Sequence, residues 1–137
     1  MELILISGQP NTEQKMRDLF DKIRKDRHFL LSNLGHWNFL DFPERQPIHP
    51  KQLLEEIKET VKEHMEKDIP LIILTYSDHV FNAVRIVVKE KKFEGCEVHQ
   101  IKETGEDIVE KIDTNGRMDV WVEDVFDVWD QALLKIV

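Results

Sequence analysis

Residues 70–90 read PLIILTYSDHVFNAVRIVVKE, and this stretch decides the fold class. Its first six residues are apolar and rich in β-branched side chains, and polar residues follow them, which predicts a buried strand over residues 70–75. A helix is expected from Asp78, because an acidic residue suits the first helical turn. The apolar residues of that helix recur at helical spacing and are Val80, Phe81, Val84, Val87 and Val88. A buried strand that runs into an amphipathic helix is typical of α/β proteins.

The same alternation of strand and helix precedes this stretch. Residues 2–7 (ELILIS) form a short apolar run before a glycine and predict another buried strand. A helix is expected to start near Thr12, with one apolar face made of Met16, Leu19, Phe20 and Ile23. Residues 29–32 (FLLS) and 38–41 (NFLD) predict two short strands, or one strand and a loop.

A proline-rich segment and a long helix connect these strands to the central stretch. Residues 42–50 (FPERQPIHP) contain three of the five prolines, so we expect no regular structure there. Pro50 suits the first position of a helix. The apolar face of that helix is formed by Leu53, Leu54, Ile57, Val61 and Met65.

The last third of the chain predicts a hairpin and a final helix. Residues 97–101 and 108–112 alternate in polarity around Thr104-Gly105, and Asn115-Gly116 indicates a further tight turn. Residues 121–137 are again amphipathic. We therefore expect residues 1–137 to form a single α/β domain with a mostly parallel central sheet and a late antiparallel hairpin.

Composition and charge restrict the function classes. The 137-residue chain carries 19 Lys and Arg against 27 Asp and Glu, a net charge of −8, which disfavours binding to nucleic acid. Its single cysteine, Cys96, excludes an internal disulfide, and without a basic neighbour it is expected to be an inert strand residue. No basic and apolar leader opens the sequence, and no apolar run approaches a membrane span. We expect a cytoplasmic protein without membrane contact.

Acidic residues concentrate towards the end of the chain, between Glu103 and Asp130. Such a cluster is usually a solvated face, and it is also able to present a negative surface to a basic partner. Both interpretations remain open at the level of the sequence.

Three predicted strand ends carry an ordered set of motifs. Residues 41–44 (DFPE) are followed by residues 48–50 (IHP) and a helix, residues 75–79 (TYSDH) by another helix, and the hairpin closes on residues 113–121 (DTNGRMDVW). Over residues 38–127 this set resembles the C-terminal half of ABC-type ATPase heads, in the stand-alone AAA-family ATPases related to the recombination and overcoming-lysogenization types. The resemblance implies a P-loop-NTPase-like three-layer α/β domain.

The resemblance assigns roles to the residues at these strand ends. In that family the aspartate that ends the first strand helps to hold Mg²⁺, and Asp41 matches it. The next residue is a glutamate that positions the attacking water, and here it is Phe42, which does no acid–base chemistry. The histidine of the second strand end contacts the γ-phosphate, and here it is Tyr76. Glu44 and Ser77 are the polar residues that remain beside these positions.

A phosphate-binding loop is missing from the expected place. Such a loop has the pattern GxxxxGK[ST], with glycines for close backbone approach and a lysine for charge. Gly8 stands at the first glycine position, but Glu13, Gln14 and Lys15 stand at the glycine, lysine and Ser/Thr positions. Glu13 would place a carboxylate against phosphate. The stretch before Asp41 is also too short for the inserted lobe and signature segment of a complete head.

These departures predict a catalytically inactive ATPase-like domain that needs no cofactor and acts by binding a protein partner or a second copy of itself. The alternative is a small AAA-family ATPase with weak activity at a nonstandard nucleotide site that holds ATP and Mg²⁺. In that case Asp41 would bind the metal, Glu44 would support the chemistry, and the nucleotide would contact Gly8, Asn11, Thr12 and Lys15.

Two further groups of polar residues suggest chemistry. His49 and His79, with Asp41 and Asp78, would form a metal site if the two strand ends are adjacent and the ligands converge. Otherwise the two histidines make local hydrogen bonds at the starts of helices. Ser77, Asp78 and His79 have the composition of a hydrolase triad, but adjacent residues of one turn point in different directions.

Overall fold

The computed structural model describes residues 2–26 and 38–118. Strands and helices alternate within these ranges: β1 (Leu3–Gly8), α1 (Glu13–Asp26), β2 (Asn38–Asp41), α2 (Pro50–Lys67), β3 (Leu71–Thr75), α3 (Asp78–Lys91), β4 (Cys96–Ile101) and β5 (Asp107–Ile112). Short 3-10 turns lie at Pro10–Thr12 and Pro43–Arg45. The strand predicted over residues 29–32 and the helix predicted over residues 121–137 lie outside the described residues.

The five strands form one sheet in the order β2-β3-β1-β4-β5. β1 pairs in parallel with β3 and β4, and β2 pairs in parallel with β3. β5 is antiparallel to β4. The prediction of an α/β fold with a mostly parallel sheet and a late hairpin is confirmed.

Alternate residues of the parallel strands face two separate apolar clusters. Leu3 and Leu5 of β1 pack with Leu71 and Ile73 of β3 against α2 and α3. The residues between them, Ile4, Ile6, Ile72 and Leu74, pack against Met16, Phe20 and Ile23 of α1. The described part of the chain is therefore three layers thick, with its core on both faces of the sheet. Continuously apolar strands are what a sheet covered on both faces requires.

The helices begin and end where local chemistry predicts. Pro50 is the first residue of α2, and the His49 imidazole accepts a hydrogen bond from the Lys51 amide at 3.1 Å. α2 and α3 each end on a left-handed residue, Asp68 and Lys92, whose backbone amides cap the last carbonyls.

One prediction about the proline-rich segment is wrong. Residues 43–45 form a 3-10 turn, although no regular structure was expected between residues 42 and 50. Pro43 supplies the fixed φ that a tight helical turn needs at its start, and Phe42 enters the turn in the left-handed conformation with a φ of 48°.

Glycine closes both turns of the hairpin region. Gly105 has a φ of 92° in the β4–β5 connection, and Gly116 has a φ of 78° in the turn after β5. Both values are unfavourable for residues with a side chain. The predicted turns at Thr104-Gly105 and Asn115-Gly116 are thus confirmed.

Candidate functional site

The carboxyl ends of β2, β3 and β1 meet at one edge of the sheet. Register pairs Asp41 of β2 with Leu74 of β3, and Ser7 of β1 with Thr75 of β3. The sequence motifs after these three strands therefore lie side by side. This is the edge at which open parallel sheets bind their ligands.

Glu44 ties the segment after β2 to the end of β3. Its carboxylate accepts hydrogen bonds from the Thr75 hydroxyl, at 2.6 and 2.8 Å to the two oxygens, and from the Tyr76 amide at 3.2 Å. The Thr75 hydroxyl oxygen in turn accepts from the Ser77 amide at 2.9 Å. Burial raises the pKa of Glu44 above its ordinary value, although the hydrogen bonds from Thr75 and Tyr76 oppose this shift.

Two arginines and two carboxylates form an ionic network along the same edge. The Arg17 guanidinium lies 3.0 Å from Asp41 Oδ1 and 3.1 Å from Glu13 Oε2. The other Glu13 oxygen pairs with Arg45. The hydrogen bond from Arg45 lowers the pKa of Glu13, and it does so against the smaller effect of desolvation. Each carboxylate of the network is therefore neutralised by a cation from this chain.

The Phe42 ring is the floor of this network. Phe42 is 1% exposed, and the guanidinium carbon of Arg45 lies 4.3 Å from its ring centroid. The centroid of the Tyr76 ring lies 5.2 Å from the centroid of the Phe42 ring. The Tyr76 hydroxyl accepts a hydrogen bond from Arg45 Nε at 3.1 Å. Arg17 contacts the Phe42 ring at 5.2 Å. Stacking of arginine on aromatic faces holds the planar guanidinium groups in place.

The turn after β1 is short and internally bonded. The Gln9 carbonyl accepts from the Thr12 amide at 2.9 Å and from the Thr12 hydroxyl at 2.7 Å. A side chain at Gly8 would collide with this hydroxyl, so the turn folds tightly over the glycine. Asn11 is exposed on the 3-10 turn. The ammonium group of Lys15 lies over Gly105 of the hairpin loop.

The two histidines considered as metal ligands have separate surroundings. His49 caps α2 through the hydrogen bond to Lys51, which is the local bond expected of a residue at a helix start. His79 is exposed on the first turn of α3. Across residues 2–26 and 38–118, no three His, Cys, Asp or Glu side chains are grouped so that they could hold a metal ion. Asp78 Oδ2, beside His79, is buried without a hydrogen-bond partner in this same part of the chain.

A second titratable cluster lies on β4. His99 Nδ1 is 2.9 Å from Asp107 Oδ2, and Nε2 is 3.3 Å from Glu97 Oε2, while the side chain is only 8% exposed. Burial lowers the pKa of His99, but the two carboxylates outweigh burial, and the net pKa is raised. Cys96, also on β4, is fully buried, and burial raises the pKa of its thiol, as expected for an inert residue.

The sequence analysis missed both arginines of the network, but only one of them has a signal in the sequence. Arg17 follows Glu13 by four residues, which is the spacing of an ion pair on a helix and could have been found. Arg45 has no such signal, because its partners Glu13 and Tyr76 are each about 30 residues away and meet it only through the sheet order.

Comparisons with models of protein families, with curated proteins and with solved structures find no match for this chain. Among the described residues, no helix combines the length and the apolar composition that crossing a bilayer requires.

Proposed function

We propose that this chain is a catalytically inactive relative of ABC-type ATPase heads, and that it acts by binding a protein partner or a second copy of itself rather than by hydrolysing ATP. The observation that carries the proposal is the ionic network at the carboxyl edge of β1, β3 and β2. Under this proposal, side chains of the protein itself occupy the edge of the sheet at which a P-loop enzyme holds a nucleotide and its metal ion.

In the proposed inactive domain, an arginine side chain lies where the resembling family would hold a magnesium ion. Asp41 corresponds to the metal-binding aspartate of the resembling family, and its Oδ1 lies 3.0 Å from the Arg17 guanidinium. Arg17, which is also bonded to Glu13 and rests on Phe42, holds a positive charge beside this carboxylate that would repel a divalent cation. This arrangement opposes metal binding.

The phosphate position is opposed by charge and by shape. Glu13 is the first residue of α1, where the helix dipole would favour an anion, and its carboxylate already pairs with both arginines. The preceding turn consumes the Thr12 amide in a bond to Gln9 instead of directing it outward. A triphosphate at this edge would meet a carboxylate and a closed turn.

The alternative function, an ATPase with a weak nonstandard site, draws support from one observation. Glu44 has a raised pKa and lies hydrogen-bonded to Thr75 at the same strand edge as Asp41, as a general base would. Both carboxylates, however, are already bonded to groups of this chain, so the inactive form is favoured.

Titration with Mg-ATP by isothermal calorimetry separates the two proposals. We expect only heats of dilution up to millimolar nucleotide, because Arg17 and Glu13 already neutralise the site. Saturable binding with a dissociation constant of about 1–100 μM would contradict the inactive assignment.

Matched variants locate any binding that does occur. Asp41→Asn removes the carboxylate at the carboxyl edge of the sheet, whereas Asp68→Asn makes the same change at the C-terminal end of α2. Asn is well suited to the left-handed conformation of residue 68, so the control is expected to fold. Loss of ATP binding in Asp41→Asn alone would establish the alternative, and equal binding by both variants would place the nucleotide elsewhere.

A further inference from the structure

The outer edge of β5 is open in the part of the chain that the structure describes. β5 is the last strand of the sheet order and pairs with β4 over all six of its residues without a bulge. It contains no proline. A long and regular edge with unpaired backbone groups is a template for another strand.

The outward backbone groups of β5 belong to alternate residues. The Lys102 amide donates to the Glu106 carbonyl at 2.9 Å, immediately beyond the Ile101–Asp107 pair. Antiparallel ladders alternate between hydrogen-bonded and non-bonded pairs. Asp107, Val109 and Lys111 therefore direct their N–H and C=O groups away from β4.

An apolar side chain lies at the centre of this edge. Val109 is 52% exposed, and Phe39, the other exposed large apolar residue among those described, is partly covered by Phe20 at a ring distance of 4.7 Å. On the same face as Val109, Asp107 lies two residues before it and Lys111 two residues after it. The edge thus has the order negative, apolar, positive.

We propose that β5 pairs in antiparallel fashion with β5 of a second copy of this chain, with Val109 on the two-fold axis. Antiparallel pairing about Val109 brings Val109 opposite its own copy and places Asp107 of each chain opposite Lys111 of the other. Both charge pairs are attractive, and the three outward-facing residues of each strand meet as hydrogen-bonded pairs. The two sheets then form one continuous sheet.

The contact between Asp107 and His99 leaves this pairing intact. His99 engages Asp107 Oδ2, and a carboxylate has a second oxygen that remains able to accept from Lys111 of the other copy. An isologous contact of this kind closes on itself and produces a dimer rather than a fibre. The pairing names a partner for the binding role proposed above, but it involves neither nucleotide nor the carboxyl edge of the sheet.

Sedimentation-equilibrium measurements of the full chain over about 1–500 μM, without nucleotide, test this pairing. We expect a concentration-dependent dimer. Val109→Pro removes the outward amide without removing a bond to β4, and proline is tolerated at such edge positions. We expect it to weaken the dimer by at least about tenfold, whereas Val109→Thr, which keeps the amide and a β-branched side chain, should stay within a few-fold of the original.

A charge variant and hydrogen exchange distinguish loss of this pairing from misfolding of the proline variant and from a dimer formed through another surface. Lys111→Glu would place like charges opposite each other and is expected to weaken the dimer at least about tenfold with an unchanged circular dichroism spectrum. Hydrogen exchange at the Val109 amide should slow as the protein concentration rises. A monomer at every concentration, a dimer insensitive to both Val109→Pro and Lys111→Glu, or a Val109 amide protected in the monomer would each overturn the pairing. None of these outcomes depends on nucleotide binding, so the Mg-ATP titration tests the proposed function independently of the pairing.

Discussion

Four consecutive residues after β2 determine the character of the candidate site. Phe42 is buried in a left-handed conformation, and Pro43 starts the 3-10 turn that follows. Glu44 then faces β3 and Arg45 faces α1, with hydrogen bonds to Thr75 and Glu13 respectively. One turn of backbone thus supplies the aromatic floor, a half-buried carboxylate and a bridging cation.

Glu44 gives a prediction at this scale. Glu44→Ala leaves the Thr75 hydroxyl and the Tyr76 amide without their acceptor, and we expect the free energy of unfolding to fall by about 1–3 kcal/mol. Glu44→Gln keeps an acceptor oxygen and should cost less. Urea denaturation monitored by circular dichroism measures both variants. Equal losses in the two would show that the hydrogen bonds contribute little.

The raised pKa of Glu44 predicts how this comparison changes with pH. A carboxyl whose pKa is higher in the folded state than in the unfolded state contributes stability at low pH and loses it as the pH rises through the folded pKa. Because Gln does not ionise, the stability of Glu44→Gln relative to the original protein should increase as the pH rises above the ordinary carboxyl value of 4.5 and through the raised pKa of Glu44. A difference independent of pH would contradict the shift.

At the scale of elements, the β4–β5 hairpin contains the second titratable group. His99 lies between the carboxylates of Glu97 and Asp107 and is directly paired with Val109 across the ladder. The charge of His99 therefore affects the stability of the β4–β5 pair. The Lys15 side chain of α1 reaches the same hairpin and covers Gly105, so the hairpin loop lies next to the α1 layer.

The hairpin should lose stability as the pH rises. The pKa of His99 is higher in the folded protein than in the unfolded chain, so its stabilisation is fully present below the unfolded value of about 6.5 and is lost as the pH rises through the folded value. The urea midpoint, measured from pH 5.5 to 9, should fall as the pH rises through the folded pKa of His99. His99→Gln, which stays neutral, should be flatter there. Identical profiles for the two proteins would exclude His99 as the cause.

At the scale of the whole molecule, a buried arginine of α3 joins the helix layer to the turn that follows β5. Arg85 of α3 is 3% exposed and donates from Nε to the Gly116 carbonyl at 2.6 Å. Burial lowers the pKa of Arg85 to about 10, and the charge of Asp113 opposes this shift. A side chain at Gly116 would collide with the Arg85 carbonyl, so the turn packs directly on the helix.

Removal of this arginine should destabilise the entire fold. Arg85→Ala loses a hydrogen bond from a charged group and the packing of a long buried side chain, and we expect a loss of about 2–4 kcal/mol in the free energy of unfolding. Lys91→Ala, an exposed change on the same helix, should stay within about 0.5 kcal/mol. Thermal or urea denaturation measures both. Similar losses for the two would show that the contact with Gly116 is not a structural link.

Short-range pattern determined the elements of this protein. The apolar runs, the helical stripes and the prolines and glycines between them predicted β1, α1, α2, β3, α3 and the hairpin to within a residue or two, because strand and helix periods are properties of neighbouring residues. The motif residues at the strand ends were visible in the same way. The 3-10 turn at residues 43–45 was missed because its bonds depend on the left-handed Phe42, which tertiary packing buries.

Only the tertiary structure decided which polar groups at the strand ends contact one another. The order β2-β3-β1 brings Arg45 to Glu13 and Glu44 to Thr75 across about 30 residues of chain, and no local spacing encodes such contacts. The sequence by itself determined which polar groups follow the strands. The sheet order determined that they neutralise one another, because the energy of an ion pair depends on separation in space and not on separation along the chain.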